Sequence, residues 1–150
     1  MTDQNPQTSA APSLDARIQK VSLSAATEQL TEFWSQQVVG EANGTLLKIA
    51  KGIGETRWHL HEDQDETFLV LSGRLTVQLR DRNIDLDPGD LFVVPTGVEH
   101  CPIAEEETRF LILGTSVTSN AAGGKPEWSH NGGLPDETIT NDSLGPAMRS

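Results

Sequence analysis

After Gly44 the sequence is written as short β-prone runs that return about every 8 to 12 residues, a spacing typical of all-β sandwiches and barrels. Turn-forming residues close them, as at Asp81-Arg82-Asn83 and Asp87-Pro88-Gly89. Side chains alternate across a strand, so the run in which Leu75, Val77 and Leu79 interleave with Thr76, Gln78 and Arg80 has one face for a core and one for water. Phe68 to Leu71 and Phe110 to Leu113 are apolar on both faces, which predicts strands covered twice, by a helix or by a second copy of the chain. A length of 150 residues suits one domain with a modest core.

The flanks read differently. Residues 1–13 are polar, with two prolines and no periodicity, and are expected to be disordered. Leu14 to Leu23 suggests a short strand through Ile18 and Val21. Ala25 to Trp34 predicts a short helix capped by Ser24, with Leu30, Phe33 and Trp34 at helical spacing and Trp34 packed against the barrel. Val38-Val39 and Thr45 to Ile49 read as strands separated by a turn-rich segment, Gly40 to Gly44. The domain is expected over residues 14–116, followed by a flexible or partly ordered tail, 117–150. That tail carries His130 beside Trp128 and is read as lying on the surface, with closure over the site as the alternative.

Three of the four histidines, His59, His61 and His100, fall in one stretch with Glu66. On a strand, His59 and His61 point to the same face and present two imidazoles side by side. The polar run Glu62 to Asp65 reads as a turn, and a returning strand from Glu66 would form a hairpin that carries its carboxylate over the two histidines. His100 follows the turn Pro95-Thr96-Gly97, which reverses a strand of Leu91 to Val94 toward the same space. Three neutral nitrogens and a carboxylate oxygen suit one borderline divalent ion, Mn, Fe, Ni, Co, Cu or Zn.

The order Gly54, His59, His61, Glu66, Gly73 resembles the first motif of the cupin superfamily, with one residue fewer after the opening glycine. Gly89, Pro95, Gly97 and His100 resemble the second, with Ala104 where an asparagine usually stands. The resemblance spans roughly residues 44 to 115 and is similar in wording to small single-domain cupins of the mannose-6-phosphate-isomerase-like type. It implies an all-β fold, the cupin double-stranded β-helix or jelly-roll barrel, with a short N-terminal helix in front. It also implies that the four residues above are metal ligands.

Around them, Arg57 would share the metal-facing side or lie at the barrel mouth, and Phe68, Val70 and Val98 would make the pocket partly apolar. Glu66 is read mainly as a ligand and secondarily as a base. Cys101, beside an inward His100, points outward and is read as packing; as the one cysteine it makes no internal disulfide. The chain has no tyrosine, which excludes chemistry that relies on a phenolic base.

Lys+Arg total 11 against 22 for Asp+Glu, a net charge of −11, so a phosphate backbone is repelled and nucleic-acid binding is not expected. No membrane span and no signal segment are visible, which predicts a soluble cytoplasmic protein. The expected partner is a small-molecule substrate, and the doubly apolar strands suggest a homodimer. The leading functional expectation is a mononuclear metal-dependent enzyme acting on a small oxygenated metabolite by a dioxygenase-type reaction. The alternatives are a metal-dependent sugar or sugar-phosphate isomerase or epimerase, and a non-catalytic module that holds a metal or small ligand.

Overall fold

The computed structural model describes residues 13–119. Two short helices, α1 (Leu14–Arg17) and α2 (Leu23–Glu28), precede the strands β1 (Gln37–Ala42), β2 (Thr45–Glu55), β3 (Glu66–Ser72), β4 (Leu75–Leu79), β5 (Asn83–Leu86), β6 (Leu91–Val94) and β7 (His100–Gly114). The strands pair antiparallel in the order β1-β2-β7-β3-β6, and β4 joins β5 to β7. The long β7 is the hub. Its first residues, His100 to Ile103, pair with β4, and its later residues pair with β2 on one side and β3 on the other. One continuous strand therefore closes the structure around an interior, and the all-β jelly roll with helix in front is the fold observed.

Alternation sets that interior. Leu75, Val77 and Leu79 of β4 are buried, while Thr76 and Gln78 between them are only partly so. They join Ala50, Phe68, Val70, Val94, Ala104, Phe110 and Ile112 in one apolar cluster. Phe110 anchors it, with its ring centroid 6.0 Å from Phe68 and 5.9 Å from Trp34. Gly73, with φ of +85°, makes the turn from β3 to β4, and a side chain there would come within 2.8 Å of the Glu107 carbonyl and the Thr108 backbone.

The flanks correct several expectations. Leu14–Arg17 is helical, started by Ser13, whose hydroxyl accepts from Ala16 N at 3.2 Å. Ile18 and Val21 are exposed and belong to no strand. The second helix starts earlier than expected, capped by Ser22 and not Ser24, and ends before Trp34. Trp34 has a positive φ of 59°, outside any helix, because its ring is drawn into the core against Phe110 and its Nε1 donates to Ile53 O at 2.9 Å. Packing against the barrel, as expected, thus overrode the helical spacing. Gly40 lies within β1 and the reversal is made by Asn43-Gly44, both at positive φ, while β2 continues past Ile49 to Glu55. Val70 and Phe110 are buried, but Leu69, Leu71, Leu111 and Leu113 on the outer face are half-buried. The expected tail, 117–150, is described only to Ser119; residues 1–12 and His130 lie outside the described residues.

Candidate metal centre

The segment joining β2 to β3 carries the first two imidazoles, and it is not the strand that the spacing predicts. Thr56 staples its start to β7, through its hydroxyl to Pro102 O at 2.6 Å and its amide to the same carbonyl at 3.2 Å. His59 then forms a single isolated antiparallel bridge with His100, by reciprocal amide-to-carbonyl bonds of 3.0 and 2.9 Å. His61 follows in irregular chain, its carbonyl accepting from Gly97 N at 2.8 Å. The turn before β7 is thereby docked onto the His61 backbone.

No hairpin carries Glu66 back over the histidines. Glu66 opens β3, which pairs with β6 and β7. The intervening Asp65 cannot continue a buried ladder and instead accepts from the amide and hydroxyl of Thr96, both at 2.8 Å. The four side chains meet nonetheless, brought together by β3, β7 and the stapled segment.

One ligand atom from each of His59, His61, Glu66 and His100 lies within 4.8 Å of all the others. Glu66 is 3 % exposed and His100 is fully buried. Main-chain carbonyls set two of the tautomers: His59 Nδ1 donates to Arg57 O at 2.7 Å, and His100 Nδ1 donates to Val98 O at 2.9 Å. A carbonyl only accepts, so the hydrogen sits on Nδ1 and a neutral ring offers its Nε2 lone pair to the centre. His61 Nε2 and His100 Nε2 each lie 3.2 Å from Glu66 Oε1. With a neutral His100 ring this sets a lone pair against a carboxylate oxygen, an arrangement that favours a cation between them. The other carboxylate oxygen, Oε2, accepts from Thr118 Oγ1 at 3.1 Å, leaving Oε1 to face the imidazoles.

Burial lowers the His59 imidazole from 6.5 to about 3, helped by the neighbouring His100 and opposed by its bond to Arg57 O. Burial pushes the Glu66 carboxyl up, but the hydrogen bonds and charges of His100 and His61 outweigh it and hold the group well below the usual carboxylate range. His59 is thus held neutral and Glu66 ionised, the forms that bind a cation. The donor set therefore fits a divalent transition ion.

A cavity of about 30 Å3, room for a water or two, adjoins the centre. Trp34, Phe68, Phe110 and Ile112 form its apolar wall, and Gln36, Thr56, His59, Glu66 and Thr118 its polar one. Of the expected pocket residues, Phe68 lines it. Val70 is in the core and Val98 packs against the core, offering its carbonyl to His100. Arg57 contributes its carbonyl to His59, and its side chain does not line the cavity. Cys101 is buried beside Thr56, with Sγ 3.7 Å from the hydroxyl, in keeping with a packing role.

Sequence reasoning missed Lys48, Gln36 and Thr118. Lys48 is completely buried and its Nζ donates to Ser116 O at 2.6 Å. Its signal was the alternation Leu46, Lys48, Ala50, which puts the lysine on the inward face. Gln36 and Thr118 are 82 positions apart, bonded by their side chains at 2.7 Å, and nothing local announces that contact.

A family profile described as "Cupin domain" matches residues 45–114. An uncharacterised protein of Bacillus subtilis (strain 168), YdbB, is 32 % identical over 79 residues, covering 52 % of this chain and 70 % of its own length. A cupin-2 domain containing protein from Shewanella frigidimarina NCIMB 400 superposes with a TM-score of 0.62 at 36 % identity, covering 67 % of this chain and 97 % of that one. Hydroquinone 1,2-dioxygenase from Sphingomonas sp. TTNP3, solved with 4-hydroxybenzoate bound, has a TM-score of 0.52 at 18 % identity, covering 59 % of this chain and 69 % of that one, a likeness of fold alone. No described helix is long and apolar enough to cross a membrane.

Proposed function

The chain belongs to the cupin family, and from that premise we propose that it is a mononuclear metal-dependent enzyme whose ligands are His59, His61, Glu66 and His100 and whose substrate is a small oxygenated metabolite. The observation that carries this reading is the convergence of His100 Nε2 and His61 Nε2 on Glu66 Oε1, each at 3.2 Å, with one ligand atom from each of the four residues within 4.8 Å of the others. A bound ion supplies Lewis acidity toward a substrate oxygen and, if redox-active, access to O2. The chain's own contribution is to hold three rings and one carboxylate oxygen in register, to keep bulk water from a mostly buried centre, and to flank it with an apolar wall.

The nitrogen-rich ligand set and that wall favour a dioxygenase-type reaction, with Fe, Mn or Ni as the metal. Glu66 acts as a ligand, because Thr118 and the imidazoles hold both its oxygens. A sugar or sugar-phosphate isomerase, the activity attached to the mannose-6-phosphate-isomerase-like type, is the second reading. It is favoured by Lys48, a fully buried basic residue inside the barrel that adds to Arg57, the one basic residue the sequence places near the site.

Elemental analysis of protein purified without chelators tests the centre. About one ion per chain is expected, lost in His61→Ala and His100→Ala, and a variant that keeps one equivalent at unchanged affinity would show the ligand assignment to be wrong. O2 uptake across enediols, diketones, flavonols and sugar phosphates separates the chemistries: uptake marks a dioxygenase, anaerobic conversion an isomerase, and saturable binding without product a binding module. A homodimer is part of the proposal, supported by Leu91 and Val93 standing 58 % and 41 % exposed on the apolar outer face.

A further inference from the structure

Lys48 pairs across β7 with Ile112, and Ile112 pairs with Phe68 of β3, so the lysine stands in the same inward row as two cavity walls. Its relative exposure is zero. Placing an ammonium in an apolar row is costly, and a position that served packing alone would carry leucine or methionine. The group has three hydrogens to donate, and among the described residues it makes one hydrogen bond, to the Ser116 carbonyl. Glu66, two residues before Phe68 on β3, is the acidic group whose charge it feels.

Ser116 belongs to a short irregular segment, Thr115–Ser119, that leaves the end of β7 without pairing as a strand and runs from exposed Thr115 and Ser116 to buried Ser119. Polar side chains around the centre hold it as they would hold a ligand. Gln64 grips it at both ends of its amide, donating to Ser116 Oγ at 2.6 Å and accepting from Thr115 N at 2.8 Å. Gln36 does the same for Thr118, at 2.7 and 3.0 Å. Glu66 Oε2 accepts the Thr118 hydroxyl. Thr118 and Ser119 line the cavity, whose roughly 30 Å3 is far below the roughly 300 Å3 at which ligand pockets begin. With this segment in place, the space beside His59 and Glu66 holds little more than water.

We propose that Lys48 binds a carboxylate or comparable oxyanion of the substrate at the position held by the Ser116 carbonyl, and that Thr115–Ser119 is a strap which the substrate displaces. The inference rests on the metal-enzyme reading above and narrows the substrate to small anions that carry a second oxygen for the centre. Lys48 trades a neutral carbonyl for an anion, a stronger bond in a site shielded from water. The two glutamine amides are left to face the polar remainder of the substrate.

The test is binding to the full chain, metal-loaded and chelator-treated, with pyruvate, its neutral methyl ester and inorganic phosphate as probes. Heat of binding and tryptophan emission are both read, since the main-chain carbonyl of Trp34 accepts from Ser119 Oγ and both residues line the same cavity, so strap movement changes the surroundings of Trp34. Lys48→Gln keeps a donor for Ser116 O but removes the charge. It is expected to weaken the oxyanion that binds wild type by at least about tenfold while leaving ester binding and metal content unchanged. Lys48→Arg, which keeps the charge, is expected to retain the oxyanion. If Lys48 only pins the strap, Lys48→Gln binds like wild type, and the proposal is overturned. Absence of saturable binding of either oxyanion by wild type overturns it equally. Pyruvate or phosphate as the tighter probe identifies which oxyanion the site takes. Lys48-dependent binding in a protein that holds no metal would sink the metal reading while leaving this one standing.

Discussion

At the scale of single residues, the centre is governed by where three hydrogens sit. Backbone carbonyls of Arg57 and Val98 take the Nδ1 hydrogens of His59 and His100, and Thr118 gives its own to Glu66. With neutral rings these assignments leave acceptors pointing at one another, which favours a cation between them. Without one, acid should destabilise the fold. The unfolded chain protonates the His59 imidazole below about 6.5, whereas the folded protein resists until about 3, so the unfolded state binds more protons across that window and stability falls as pH falls through it. Glu66 adds in the same direction: the stability from its depressed carboxyl is present above the normal value of 4.5 and is lost as pH falls through the folded one. Chelator-treated protein should therefore lose stability on acidification from pH 6.5, with a slope approaching about 1.4 kcal/mol per pH unit for one group. Urea unfolding across that range reads it; a flat profile would mean that His59 is not buried neutral. His59→Gln should flatten the upper part of the curve.

At the scale of elements, β7 and the strap decide more than the motif residues do. β7 supplies His100, the bridge to His59 and the carbonyl of Pro102 that anchors Thr56. The strap that follows it supplies Thr118. Because Thr118 holds Glu66 Oε2 and is itself held by Gln36, it positions a ligand without touching the centre. Thr118→Val should lower metal affinity by roughly 10–100-fold, as loss of a hydrogen bond behind a ligand does. Thr118→Ser should restore it. Competition against a fluorescent chelator distinguishes this from a structural role, under which valine would shift the melting temperature and leave the affinity alone. The helices show the opposite balance of local and distant forces. Helical spacing reads through to Trp34, yet α2 stops at Glu28, because burying the indole against Phe110 and Gly52 outweighs a few more helical residues.

At the scale of the whole molecule, one face of the sheet remains apolar. Ile49, Leu111, Leu69 and Leu91 stand in register across β2, β7, β3 and β6. α2 packs against β2, where Ile49 is fully buried, but at the β6 end Leu91 and Val93 face outward. Pairing two such faces would remove apolar surface from water at about 25 cal/mol per Å2. The full chain is expected to sediment as a dimer, and Leu91→Glu with Val93→Glu to sediment as a monomer that keeps its metal. A wild-type monomer at working concentration would refute the dimer.

The fold class and the four residues that converge are legible in the amino-acid sequence. Strand rhythm, alternation in β4 and the spacing of His59, His61, Glu66 and His100 are local patterns, and local patterns survive folding. How those four side chains are presented follows from tertiary packing, since the predicted hairpin gave way to a single bridge at His59 and a stapled loop. Tertiary structure alone also placed Gln36, Lys48 and Thr118 around Glu66. Their contacts join positions as far as 82 residues apart, and a buried lysine contradicts composition-based expectation. Such contacts follow from the closing of a barrel, which brings strand faces together at distances that no window of sequence spans.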